Sequence, residues 1–224
     1  MEITKNIELR KEVLDNIRQT ITGHEREGIH LSDLIYCSRK FLIRRAGLAP
    51  EPSDEQCMLF MTGFAFQAFM FPKDNEIPYI YDNIICTPDI PTGIEVKSTR
   101  RSMGKFSVWD MQHWQKQILG YCKALDKLEY DLVVLFVCGD YKPPFPNMDC
   151  WHIQATQEEV NANWAEITAR RDKLLAFITS TDSVGITDVE PDCADWEWEF
   201  CENWRYCPDT TCYQKRRLKE LKTK

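Results

Sequence analysis

The stretch Ile84-Ile85-Cys86-Thr87-Pro88-Asp89-Ile90-Pro91-Thr92-Gly93-Ile94-Glu95-Val96-Lys97-Ser98-Thr99 decides how the rest of the chain is read. It predicts two short apolar, β-branched strands joined by a Pro-Thr-Gly turn. A three-residue loop over residues 91–93, with Gly93 in the left-handed position, pairs Ile90 with Ile94 and sets Asp89 opposite Glu95. Side chains alternate along a strand, so Lys97 shares the face of Glu95. Facing carboxylates repel each other unless a cation lies between them. Two hard oxygen ligands suit Mg²⁺ or Mn²⁺, and a neighbouring lysine can orient a metal-activated water or stabilise charge on a phosphate. The chemistry implied is phosphodiester hydrolysis. The competing reading is a solvated surface hairpin, and a two-residue loop would turn Glu95 to the other face.

The chain has 224 residues, 43% of them hydrophobic and 28% charged, an ordinary globular composition for one domain with a small appendage. It has no apolar run long enough to span a bilayer, and its polar start lacks the apolar region of a signal peptide, so a cytoplasmic protein with no membrane partner is expected. The net charge of −7 argues against nonspecific coating of nucleic acid, while a local basic patch can still steer a phosphate backbone into one groove. Such patches are Arg39-Lys40 with Arg44-Arg45, Arg100-Arg101 with Lys105, and Lys215-Arg216-Arg217.

Helices are expected over residues 5–22, from a Ser32 cap through Cys37 to about Gly47, over 54–71, 109–124 and 156–179, with strands near 78–82, 131–138 and 150–154. The segment 54–71 carries Met58, Phe60, Met61, Phe64 and Phe69, a stripe that reads as core, and its Gly63 reads as a close-packing point. Gln117 and Tyr121 fall on one helical face, with His113 and Trp114 a turn earlier. The pattern implies an α/β or α+β core with mixed strand directions. Three divisions are expected: an N-terminal helical segment (1–50), a core (51–185) and a cysteine-rich C-terminal segment with a basic helix (186–224).

Ten cysteines without an export signal argue for reduced thiols, some of them metal-bound. Cys201, Cys207 and Cys212 crowd a loop-like segment, and a fourth ligand can come from nearby Cys193 or from distant Cys37. Zinc and a [4Fe–4S] cluster both accept four thiolates, and Cys207-Pro208 leans toward iron–sulfur.

Together these residues resemble the RecB-like branch of the PD-(D/E)xK nuclease superfamily, and within it the iron–sulfur exonucleases of the fourth CRISPR-associated family and their viral relatives. Ser32-Asp33-Leu34 with Cys37 is similar to the opening motif, Thr87-Pro88-Asp89 with Glu95-Val96-Lys97 to the catalytic signature, and Gln117-Ile118-Leu119-Gly120-Tyr121 to the Q-x-x-x-Y motif. The resemblance implies a restriction-endonuclease-like core with a mixed central sheet, its two terminal segments joined by a [4Fe–4S] cluster on Cys37, Cys201, Cys207 and Cys212. It implies Mg²⁺- or Mn²⁺-dependent cleavage of DNA at single-stranded ends, in CRISPR adaptation alongside its partner proteins or in viral DNA processing. Asp89, Glu95, Lys97, Gln117 and Tyr121 would form the site. The sequence departs from the family in three ways. Gln67 stands where the G-x-x-x-H motif has a metal-ligating histidine, the Asp-to-Glu interval is short, and the last cysteines follow x5 and x4 spacing. Two other readings stand beside the nuclease. One is a catalytically weakened DNA-binding or adaptor protein that keeps the fold and cluster. The other is a zinc-stapled interaction module, which leaves the Asp-Glu-Lys face without a role.

Overall fold

The structure is a computed structural model, and it describes residues 6–22, 27–72, 77–138, 146–179, 185–193, 197, 201–207 and 214. Cys212, the basic Lys215-Arg216-Arg217 run and the closing helix expected there lie outside the described residues.

The sheet that carries the site has three strands, in the order β3 (Ile94–Thr99), β4 (Glu129–Phe136) and β5 (Asn147–Gln154). β3 runs parallel to β4, with Glu95 opposite Leu132 and Lys97 opposite Val134, while β5 is antiparallel to β4. The sheet is therefore mixed. Parallel neighbours need a crossover, and α5 (Gln112–Ala124) supplies it. From Leu132 to Phe136 every β4 residue is buried, as a central strand covered on both faces requires, whereas β5 alternates as an edge strand does. A separate hairpin, β1 (Tyr79–Tyr81) and β2 (Ile84–Cys86), turns at Asp82 and Asn83, both with positive φ.

The core lies between this sheet and the helices α2 (Leu31–Ile35), α5 and α6 (Gln157–Thr179). Trp114, Ile118 and Tyr121 of α5 meet Val160, Trp164 and Ile167 of α6, and Leu31 and Leu34 of α2, over Tyr130, Leu132, Val134 and Phe136. α6 begins as its sequence predicts: the Glu159 N–H donates to Thr156 Oγ1 at 3.2 Å, and Glu159 Oε2 accepts from the Thr156 N–H at 2.8 Å.

Three local expectations are corrected. The helix expected through Cys37 is two helices, because the chain turns extended at Tyr36 and restarts at α3 (Ser38–Arg45) with Cys37 as its N-cap; α2 is capped by His30, not Ser32. The helix over 54–71 exists as α4 (Asp54–Met70), but its aromatic stripe is not core. Cys57 is its one buried residue, and Phe64 and Phe69 are 53% and 86% exposed. A helix apolar around most of its circumference carries no directional signal about which side will be covered. In the first basic patch, which could have steered a phosphate backbone, three of the four side chains are engaged within the fold and Arg45 alone of them is exposed. Arg39 is buried and bonds the Val189 carbonyl, Arg44 pairs with Asp33 at 2.8 Å, and Lys40 lies 3.6 Å from Glu197. α1 (Ile7–Thr22) is tied to the start of α4 by Arg10 and Arg18, which both pair with Asp54. Its apolar residues are only partly covered, since Leu14 is buried while Ile7 and Val13 are exposed.

Candidate metal-dependent active site

The turn between Asp89 and Glu95 has the three-residue form read from the sequence. Ile90 and Ile94 form an isolated antiparallel bridge, exchanging both backbone hydrogen bonds at 3.1 and 3.3 Å, and Gly93 takes φ +111°, a conformation a Cβ would strain. Asp89 then reaches across to β3, where its Oδ2 accepts the Val96 N–H at 2.8 Å. Glu95 and Lys97 share a face, and Lys97 Nζ donates to Glu95 Oε1.

The segment that holds Asp89 is not itself a strand, and three contacts fix it in place. Tyr121 OH donates to the Thr87 carbonyl at 2.8 Å and is itself held by Gln117 Nε2, also at 2.8 Å. From the opposite face of the sheet, Gln67 Nε2 donates to the Asp89 carbonyl at 3.4 Å. α4 lies against β3 here, with Gly63 facing Ser98, where a Cβ would make an ordinary contact at 3.6 Å from the serine hydroxyl. Gln117 and Tyr121 thus act as positioning residues for the loop that carries Asp89. The structure brings Gln67, Asp89, Glu95, Lys97, Gln117 and Tyr121 to one place.

The electrostatics are those of a cation site. Glu95 is fully buried, and its Oε2 has no hydrogen-bond partner. A bare carboxylate oxygen in such a place is costly unless it is protonated or meets a cation. Burial, followed by the neighbouring Asp89 charge, pushes Glu95 up to about 7 despite the opposing pull of Lys97. Burial also raises Asp89. Burial pulls Lys97 down, but the Glu95 and Asp89 carboxylates override it and hold the ammonium above its usual value. Two acids raised by desolvation, Glu95 also by the charge of Asp89, with one orphan oxygen, fit a divalent ion. Gln67 adds only a neutral amide. Among the described residues, no three His, Cys, Asp or Glu side chains are grouped to hold a metal ion, so the donor set here is two carboxylates.

Sequence reasoning did not assign a role to three nearby residues. Tyr36 is raised by burial, with Lys97 and Lys40 opposing and Glu197 and Glu95 adding to the rise; its ring centroid lies 5.9 Å from that of His113 and carries Lys40 Nζ at 5.8 Å. Burial, then Lys97 and Arg101, depress His113 to about 4, so it is neutral. Its i, i+4, i+8 relation to Gln117 and Tyr121 was the available signal. Arg101 is exposed at the end of β3, in the patch already noted.

The cysteine centre is partly described. Cys37 is held below the usual thiol range, first by a hydrogen bond with Cys193 and against the effect of burial. Cys201 is pushed up to about 11 by burial, with Lys40 opposing and Cys37 close enough to add to the rise. Cys207 is buried. Among the described residues, the chain's two ends are joined by carboxylates. Asp192 accepts the Ser38 N–H and its hydroxyl, both at 2.7 Å, and Glu197 accepts the Cys37 N–H at 3.4 Å. Both acids cap the orphan amides that open α3.

No protein-family model matches the sequence, and no curated protein matches it. Among solved structures the fold is similar to that of SSO0001, at 15% identity and a TM-score of 0.60, covering 90% of this chain and 96% of that one. A phage related exonuclease from Haemophilus somnus 129PT aligns at 11% identity and a TM-score of 0.39, covering 79% and 85% of the two chains. The exonuclease LHK-Exo of Laribacter hongkongensis, in complex with dAMP, aligns at 13% and 0.44, covering 67% and 89%. The likeness to SSO0001 speaks to the fold alone. Function is read below from this chain's own residues.

Proposed function

We propose that this chain is a metal-dependent deoxyribonuclease that hydrolyses phosphodiester bonds at single-stranded DNA ends. The observation that carries the proposal is the fully buried Glu95, its Oε2 unpartnered, held beside Asp89 and bonded to Lys97 on one face of the β3 edge. Asp89 and Glu95 would hold Mg²⁺ or Mn²⁺, which supplies Lewis-acid activation of water and phosphate. Lys97, fixed by Glu95, presents a cation to the attacking water or to the charge that develops on the phosphate. Gln117 and Tyr121 keep the Asp89 loop in register, and Gln67 supports it from behind. The resemblance drawn from the sequence adds a role in CRISPR adaptation or viral DNA processing. It also adds a [4Fe–4S] cluster on Cys37, Cys201, Cys207 and Cys212; the convergence of Cys37, Cys193 and Cys201 supports a cysteine centre and keeps Cys193 as an alternative ligand.

A second reading, a catalytically weakened DNA-binding protein, is favoured by one observation. Gln67 stands at the site and spends its amide nitrogen on the Asp89 backbone. One assay separates the two: cleavage of end-labelled linear single-stranded DNA in Mn²⁺. The nuclease reading expects cleavage that Lys97→Ala abolishes with the fold intact, and faster cleavage at lower Mn²⁺ in Gln67→His. Cleavage unchanged in Lys97→Ala would refute the site, and no cleavage until Gln67→His restores it would establish the weakened protein.

A further inference from the structure

The segment that joins β3 to α5 is anchored along its length yet leaves a tryptophan in water. Phe106 packs its ring against Trp114, Phe136 and Trp151, with centroids 5.7, 5.1 and 5.6 Å away. Gln115 Nε2 donates to the Val108 carbonyl at 2.8 Å, and Ser107 Oγ accepts the Trp109 N–H at 3.3 Å. Between these anchors Trp109 is 82% exposed. Burial of so large a ring is strongly favourable, so one held in solvent by a fixed turn is contact area open to a partner. The segment lies on the face of the candidate site. Thr99 alternates in step with Glu95 and Lys97, and its Oγ1 accepts the Arg101 N–H at 3.1 Å. Phe136 and Trp151, beneath Phe106, belong to that same face, since Phe136 lies opposite Thr99 and Trp151 opposite Leu132, the partner of Glu95. Lys97 and Arg101 both act on His113, in the first turn of α5. From Lys97 to Lys116 the chain carries five cations and one acid, Asp110. Lys97, Arg100 and Lys116 pair with Glu95, Glu55 and Glu166. Arg101 and Lys105 are exposed and make no ion pair among the described residues.

We propose that this crossover segment holds an unpaired nucleic-acid strand at the site, with Trp109 stacking one base and Arg101 and Lys105 holding the phosphates beside it. The proposal rests on the nuclease reading of Asp89, Glu95 and Lys97 and names the residues that give that site its preference for unpaired strands. A tryptophan face accepts any base that has left its own stack, and cations beside it follow the backbone. Paired bases present no such face along the length of a duplex. Two cations without ion-pair partners, on a segment that starts from the Lys97 strand in a chain of net charge −7, favour a polyanion over a second copy of the protein.

The test is fluorescence anisotropy in EDTA with a labelled oligothymidylate of about 15 nucleotides, within the usual footprint of such sites. Trp109→Ala should weaken binding about tenfold, the order expected for loss of one stacked base, and leave its salt dependence unchanged. Arg101→Gln and Lys105→Gln should instead each flatten the slope of log affinity against log salt by about 0.7, the value of one phosphate contact on a single strand. Trp109→Phe should retain most of the binding and Trp109→Leu should not, which separates stacking from a merely apolar contact. Phe69→Ala, which removes an exposed ring from α4 on the other face of β3, should have no effect. On a duplex of equal length Trp109→Ala should cost little. Wild-type-like binding by Trp109→Ala, equal binding by the Phe and Leu variants, unchanged salt slopes in both Gln variants, an equal loss on the duplex, or no binding by the wild type would overturn the contact. Because the assay needs no metal, cleavage in Mn²⁺ with Trp109-independent binding removes this contact and leaves the nuclease. Trp109-dependent binding without cleavage in Mn²⁺ does the reverse.

Discussion

At the scale of single residues, the site is an economy of charge in a dry place. Glu95 was identifiable from the sequence because alternation puts it on the face of Lys97, and the three-residue turn brings Asp89 across. For His113 the one signal was its place on the helical face of Gln117 and Tyr121; nothing in its neighbours along the chain announces that Lys97 and Arg101 will face it. The same burial gives a pH prediction. With its folded-state pKa near 4 and an unfolded value of about 6.5, His113 binds fewer protons folded than unfolded between those values. Its neutral form therefore contributes stability that is fully present above the unfolded value and is lost as pH falls toward the folded one. Glu95, raised to about 7, has the opposite dependence over the same range, so the prediction is a difference: in urea titrations between neutral pH and about pH 5, the midpoint of His113→Gln should fall less, or rise more, than that of the wild type. An identical slope in the variant would show that other groups account for it.

At the scale of elements, the chain's helices and strands follow their periodicity closely where one side is covered, and poorly where cover is partial. α6 carries its cap and its apolar side as read, and β4 is the buried run expected. α4 is the exception, because an aromatic and methionine sequence does not say whether protein or something else will cover it. The break at Tyr36 was hidden in a segment with continuous helical pattern; it places Cys37 at a helix start, where Glu197 and Asp192 reach the free amides. Between α5 and α2 the packing is close enough to make a sharp prediction. A Cβ on Gly120 would lie 2.7 Å from a terminal carbon of Leu31, which is only 1% exposed. Gly120→Ala should therefore cost about 1–3 kcal/mol of unfolding free energy, as overpacking does. The same substitution in a Leu31→Ala background should cost less, because the clashing carbons are gone. Equal costs in the two backgrounds would place the strain elsewhere.

At the scale of the whole molecule, the mixed strand directions and the order of the motifs were legible in the sequence, while the way the two ends meet was not. Asp192 and Glu197 lie in a stretch without a motif, and long-range partners of a helix N-terminus leave no local signature. If Cys37 and the C-terminal cysteines also share a cluster, metal and fold are coupled. Anaerobically purified protein should then be brown, contain iron and unfold at a lower temperature once the iron is removed. A zinc-only protein, or an unfolding temperature indifferent to iron, would leave direct contacts, those of Asp192 and Glu197 and the Arg39–Val189 bond among them, to join the ends.

The central claim is that Asp89 and Glu95 form a divalent-cation site, and titration calorimetry with Mn²⁺ on the folded protein tests it most directly. The wild type should bind one ion at the two carboxylates, and the isosteric variants Asp89→Asn and Glu95→Gln should each lose that binding while keeping the fold, since each removes one of the two charged ligands. Equal Mn²⁺ affinity in wild type and both variants would contradict the account.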